Sequence, residues 1–214
     1  NFAENLLSKN NKNKAITFVS ENGFREERSW YELNINVSKI SKFLKSIKIK
    51  KKDRIAAYMP NTIETVEAFI ASSSLGAIWS SCSPDFGVKG VVERFSQISP
   101  KVLFVVDKYF YNGKIINILE RVPLILKEIP SIEYVVIVNY PGEKYLHNKY
   151  IAKKSKVLKW SEIMKQESEE IQFPKFDFEQ DLAILYSSGT TGKPKCICHR
   201  SGGVLLQHKK EHQL

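Results

Sequence analysis

Cysteine is scarce in this chain: three thiols in 214 residues. An odd, sparse set cannot build a disulfide framework, so the small disulfide-stapled secreted scaffolds are excluded and a reducing cytoplasm is the expected compartment. Arginine is scarce as well. Only six of the 33 basic residues are arginine, and the guanidinium fork is what specific readers of phosphate and base edges favour. A formal net charge of +10 carried almost wholly by lysine therefore argues weakly for a nucleic-acid partner, and none is expected. Long apolar runs are missing. Crossing a bilayer takes about 18 consecutive apolar residues, and even Ala68 to Ser80 is broken by serines and a glycine, so no membrane span is expected. The start, Asn1-Phe-Ala-Glu-Asn5, shows neither an initiator methionine nor a basic segment followed by an apolar run, so no secretory leader is read and the chain is expected to be a piece of something longer. No repeat of 20 to 50 residues is evident.

What is present describes a packed globular chain. The 43% apolar and 26% charged residues are ordinary for a soluble domain, and the length allows a sizeable core. The basic excess sits in Lys48 to Lys52 and between Lys144 and Lys159, whereas Glu162 to Asp181 is acidic. Such alternating blocks mark solvated faces, although a diffuse basic surface also favours the approach of a polyanionic small molecule.

Hydrophobic periodicity alternates along the chain. Ser29-Trp-Tyr-Glu32 is a capping box, and Leu33, Val37, Ile40, Leu44 and Ile47 follow at helical spacing, predicting a helix of about five turns. Arg54 to Met59 is a short apolar run stopped by Pro60, and Asn61-Thr-Ile-Glu64 reads as a second cap opening a helix that ends near Gly76. Strand character returns at Ala77–Ser80, Val102–Val106 and Tyr134–Val138, with helices expected over 88–98 and 115–129. From Asn139 to Gln180 the pattern weakens to a lysine-rich loop, a short helix near Ser161–Met164 and an acidic connector. Asp181 to Tyr186 restores a buried strand, Cys196 to His199 reads as the next one, and a helix starts at Ser201. Alternation of this kind, with near-continuous apolar strands, predicts an α/β fold: a mostly parallel sheet with helices on both faces.

The segment Tyr186-Ser-Ser-Gly-Thr-Thr-Gly-Lys-Pro-Lys195 carries the chemistry. Two glycines let backbone N–H groups turn inward, Ser187, Ser188, Thr190 and Thr191 supply hydroxyls, and Lys193 and Lys195 supply positive charge. These are the parts of a polyphosphate cradle. A Walker loop is excluded, because Gly189 and Gly192 are two residues apart rather than four and Pro194 stands where the magnesium-binding hydroxyl belongs. A plain Ser/Thr/Gly turn between strands is the bland alternative, but such turns seldom gather so many donors after a buried strand.

This string resembles the phosphate-loop signature of the adenylate-forming superfamily, [ST]-[SG]-G-[ST]-T-G-x-P-K, and matches it throughout; His199 and Gly202-Gly203 fit its continuation. Trp30-Tyr-Glu-Leu33 and Leu75-Gly-Ala-Ile78 are similar to two earlier family elements. Gly76 to Gly87 and Gly202 to His212 resemble the branch that activates acetoacetate; the acetate- and propionate-activating branches are the alternative. The resemblance implies an ATP-dependent acid–thiol ligase in which a carboxylate displaces pyrophosphate from ATP to form an acyl-adenylate and the CoA thiol then displaces AMP. It implies that Lys195 and Thr190 act in catalysis and that Ser187, Ser188, Gly189, Thr190, Thr191, Gly192 and Lys195 hold the ATP phosphates. Gly113 and Lys114, in Asn112-Gly-Lys114, match half of a loop implicated in binding the CoA nucleotide. Mg2+ is expected with ATP, its ligands lying outside this chain. Residues 1–214 are expected to be a partial N-terminal AMP-binding domain, lacking the acyl pocket and the mobile C-terminal domain with its catalytic lysine.

Two other classes stay open on the residues alone. His208-Lys-Lys-Glu-His212 fits the H-x-x-E-H zinc-peptidase pattern, without an identifiable third ligand. A noncatalytic basic module binding nucleic acid is the other. Cys196, Cys198 and the adjacent His199 raise a zinc site briefly, but small buried thiols beside a core are the preferred account.

Overall fold

The computed structural model describes residues 1–144, 155–187 and 192–213. A short helix α1 (Phe2–Leu6) precedes the antiparallel hairpin β1 (Lys14–Val19) and β2 (Arg25–Ser29). Helix α2 (Trp30–Ser46) then starts where the sequence places it. Glu32 N–H donates to Ser29 Oγ at 3.2 Å and Ser29 N–H donates to Glu32 Oε2 at 2.9 Å, a reciprocal cap that satisfies two otherwise unpaired donors. Its apolar stripe, Leu33, Val37, Ile40 and Leu44, is buried.

Strand β3 (Arg54–Tyr58) leads through Pro60 into α3 (Ile63–Ser74). The cap differs from expectation: Thr62, not Asn61, is the N-cap residue, and it makes no side-chain capping bond. Glu64 is buried. Then follow β4 (Ile78–Cys82), α4 (Val88–Phe95), β5 (Val102–Val106), β6 (Lys108–Tyr111), β7 (Lys114–Asn117), α5 (Val122–Glu128) and β8 (Tyr134–Val138). The helix expected over 115–129 is therefore only its second half. Asn112 and Gly113 both take positive φ, 50° and 71°, which makes a two-residue hairpin turn and turns 114–117 into a strand paired with 108–111. Beyond lie β9 (Lys156–Lys159), α6 (Trp160–Met164), β10 (Asp181–Ser187), β11 (Lys195–Arg200) and α7 (Ser201–Gln213).

Seven strands form one sheet in the order β11-β10-β4-β3-β5-β8-β9. All neighbours are parallel except β10 and β11, so the expected mostly parallel α/β sheet is what forms. The step from β3 to β4 runs one way along the sheet, and the step from β4 to β5 crosses back over β3. Right-handed crossovers then require α3 and α4 on opposite faces. The packing agrees: α3 groups with α1 and α2, and α4 with α5. The core is the four central parallel strands, where Phe104 lies between Trp79 and Trp160. Because β10 is parallel to β4, its end at Ser187 lies on the same edge as the ends of β3, β4 and β5 at Tyr58, Cys82 and Val106. Ligands of open α/β sheets collect at that carboxyl edge.

Candidate active site at the carboxyl edge

The phosphate-loop candidate is carried by the β10–β11 hairpin. Ser187 closes β10 opposite Lys195, which opens β11. Ser188, Gly189, Thr190 and Thr191 lie outside the described residues. Gly192 has φ of 103°, a conformation L side chains rarely adopt, so glycine is required by the turn itself. Lys193 and Lys195 are exposed, ammonium groups free to face a solvent-borne anion. Below the loop, Tyr186 is tied to the sheet: Ser80 Oγ donates to the Ile184 carbonyl at 2.8 Å and lies 3.0 Å from the Tyr186 hydroxyl. Burial raises the Tyr186 phenol well above its ordinary value, so it remains a neutral partner. Gln97 donates to the Pro194 carbonyl at 2.9 Å.

Beside it lies a cavity of about 290 Å³ walled by the ends of three strands: Met59 and Asn61 after β3, Ser83 and Asp85 after β4, Tyr109 and Tyr111 in β6. Its wall is braced from beneath. Arg121 donates to the Tyr58 hydroxyl at 2.7 Å, to the Pro84 carbonyl at 2.9 Å and to the Phe86 carbonyl at 3.2 Å, while the Tyr58 hydroxyl also donates to Phe86. Asp85 accepts from Tyr109 at 2.8 Å and from Ser83 at 2.6 Å. Desolvation, with the Asp85 carboxylate next, pushes the Tyr109 phenol up to about 12, so it stays a donor across the physiological range. Gly113 and Lys114 sit on the β6–β7 hairpin, on a different element from the phosphate loop. Lys114 is exposed and lies opposite Tyr111 in the register. The Gly113 amide already donates to Glu21 Oε1 at 2.9 Å, so of this pair only Lys114 offers an uncommitted positive group to a phosphate.

A family model described as AMP-binding enzyme matches residues 5–212. The chain belongs to the AMP-binding enzyme family. Among curated relatives of this AMP-binding enzyme chain, the acetoacetyl-coenzyme A synthetase of Rhizobium meliloti (strain 1021) is 42% identical over 213 residues, covering all of this chain and 32% of that protein. The acetoacetyl-CoA synthetase of Mus musculus is 39% identical over 222 residues, again covering all of this chain and 32% of its relative. Among solved structures, the acetoacetyl-CoA synthetase from Streptomyces lividans superposes with a TM-score of 0.89 at 32% identity, covering 100% of this chain and 32% of that one. The chain thus spans about a third of the length of the relatives it matches.

The cysteine expectation needs correcting. Cys82 is buried, but Cys196 and Cys198 are exposed, because β11 is the outer strand of the described sheet. The Cys198 thiol donates to Asp181 Oδ1 at 3.1 Å; burial and that carboxylate push it up to about 11, away from the thiolate. His208 packs edge-on to Phe2 at 6.2 Å, and the His212 side chain lies outside the described residues. Among the described residues no group of three or more His, Cys, Asp and Glu could hold a metal ion, and no helix is long and apolar enough to cross a membrane.

Sequence reasoning reached the hairpin loop and the β6–β7 turn but missed the cavity wall. Ser83-Pro-Asp85 was within reach, since it directly follows a buried strand. Gln97, Tyr109 and Arg121 carry no local signal; they come to the site only through the crossover connections.

Proposed function

We propose that this chain supplies the phosphate-gripping part of an ATP-dependent acid–thiol ligase whose acid is acetoacetate, and that residues 1–214 form part of that enzyme's large N-terminal domain. One observation carries this. The complete adenylate-forming signature begins at Ser187, the last residue of β10 at the carboxyl edge of a parallel sheet, in a chain whose whole length aligns with proteins named acetoacetyl-CoA synthetase.

The residue roles follow from where charge develops. Attack of the acid's carboxylate oxygen on the α-phosphorus breaks the bond to the β-phosphate, and negative charge grows on the departing pyrophosphate. The Lys195 ammonium, the Thr190 and Thr191 hydroxyls and the loop's backbone N–H groups stabilise that charge, with Ser187 and Ser188 adding donors and Gly189 and Gly192 letting the backbone approach. The CoA thiol then attacks the acyl carbon and AMP leaves. The cavity beside β6, whose lining residue Tyr111 pairs with Lys114, is suited to the phosphate-bearing end of CoA, while Gly113 serves the turn. Mg2+ accompanies ATP and would screen its charge; its ligands are assigned outside this chain. The cytoplasm is the proposed compartment, consistent with unpaired cysteines.

The test is ATP–pyrophosphate exchange by the complete gene product with a panel of short carboxylates. Exchange led by acetoacetate is expected, and the isolated 214 residues should bind nucleotide weakly without turnover, since the reacting groups are not all held together. Silence with every acid overturns the ligase assignment; preference for acetate or propionate removes only the choice of acid.

A further inference from the structure

The two limbs of the phosphate-loop candidate are held by one short helix and the turn that ends it. On the descending limb, Gln97 Nε2 donates both to the Glu93 carbonyl at 2.7 Å and to the Pro194 carbonyl at 2.9 Å. The carbonyl it grips belongs to the planar Pro194–Lys195 peptide, and the proline ring already limits φ on the other side. Holding that oxygen therefore orients the backbone from which Lys195 projects. On the ascending limb, the Arg94 guanidinium lies 4.0 Å from the Phe86 ring centroid and 5.8 Å from that of Tyr186, the residue before Ser187. Phe86 in turn belongs to the loop that Arg121 braces against the cavity. Both candidate substrate sites thus lean on α4.

We infer that Gln97 is a positioning residue for Lys195: its amide sets the Pro194–Lys195 peptide so that the ammonium meets the phosphates of ATP. This rests on Lys195 being a phosphate contact in the proposed reaction. Gln97 is exposed and belongs to no core, so a merely structural role predicts an almost silent substitution.

The test uses Gln97→Met, which keeps the length and removes the donor, and Gln97→Glu, which sets a carboxylate against the Pro194 carbonyl. In the complete gene product, Gln97→Met should lower kcat/KM for ATP in pyrophosphate exchange about three- to tenfold, the effect of one neutral hydrogen bond, and Gln97→Glu should lower it further. Thioester formation from supplied acyl-adenylate and CoA should be unchanged, as should the unfolding midpoint. Combined with Lys195→Ala, Gln97→Met should cost nothing more, because both act through one ammonium. Wild-type exchange in Gln97→Met, or a loss that adds fully to that of Lys195→Ala, overturns the inference. If the wild type exchanges with no acid, the ligase assignment fails on its own, and calorimetric binding of MgATP decides Gln97 instead. Weaker binding by Gln97→Met than by wild type then supports it; equal binding, or none by the wild type, overturns it.

Discussion

Strands β5 and β11 belong to one sheet and are built on opposite terms. All five residues of β5, Val102 to Val106, are buried; five of the six in β11, Lys195 to Arg200, are exposed. The first sits between two parallel neighbours and under helices on both faces, so its sequence is continuously apolar. The second is an outer strand whose cross-strand pair Leu185 and Ile197 shows 46% and 47% of its surface to solvent. Stability resides in the centre, and the candidate chemistry sits on the strand pair the core constrains least. A phosphate loop needs donors facing water, which a buried segment could not supply without leaving polar groups unpaired.

The contrast can be broken by mutation, beginning with the largest effect. Phe104→Ala should destabilise the protein by about 3–5 kcal/mol, because the ring is fully enclosed and packs against Trp79 and Trp160, so its removal loses burial and leaves a cavity. Denaturant titration measures it, and a loss below about 1 kcal/mol would mean the centre is not well packed. On the hairpin, Lys195→Ala should leave the unfolding midpoint in place but reduce pyrophosphate exchange about 100-fold or more. Loss of stability instead of rate would reverse the assignment of the two regions.

A third test uses a buried charge cluster in the packed half, Glu67 with Arg28. Glu67 on α3 is wholly buried, accepting from Arg28 at 3.0 Å and Asn36 at 2.8 Å, with its other oxygen unpartnered. Burial pushes its carboxyl up to about 7, the Arg28 guanidinium pulling the other way. Between the ordinary value of 4.5 and about 7, the folded chain keeps a proton that the unfolded chain has released. Stability should therefore fall as pH rises through this window and level off above it. Glu67→Gln should flatten that slope in urea titrations at pH 5 and pH 8; an unchanged slope would remove Glu67 as its source. The smallest effect belongs to the outer strand: Ile197→Ser should change the stability of the 214-residue chain by no more than about 0.5 kcal/mol. A large loss there would show that β11 is more enclosed than its exposure indicates.

Much of the centre was legible because period and burial coincide there. The Ser29–Glu32 box, the α2 stripe and the apolar runs of β3, β5 and β8 all formed as their spacing predicts; β10 formed as a strand but not as the buried one expected, with only Leu182 enclosed, because its outer neighbour β11 leaves it near the rim. The errors fell where local signals compete. Asn112-Gly113 was visible as a turn, but periodicity across 115–129 concealed the strand that the turn creates. Asn61 satisfied the capping pattern, yet Thr62 took the position and Glu64 was drawn into the interior near Arg28. For the site, the hairpin loop was readable because its donors are consecutive. The cavity wall was not, because its residues come from 59 to 121 and meet only when parallel strands align their ends.

The chemistry of the loop between Tyr186 and Lys195, the α/β alternation and the lysine-dominated charge are properties of the residue string itself, since each depends on neighbours or on composition alone. Tertiary structure decided that Gln97 grips Pro194, that Arg121 braces the Pro84–Phe86 turn, and that Cys196 and Cys198 face outward. Those outcomes depend on which strands become neighbours and which strand is left at the rim, and strand order is set by long-range packing that no local pattern encodes.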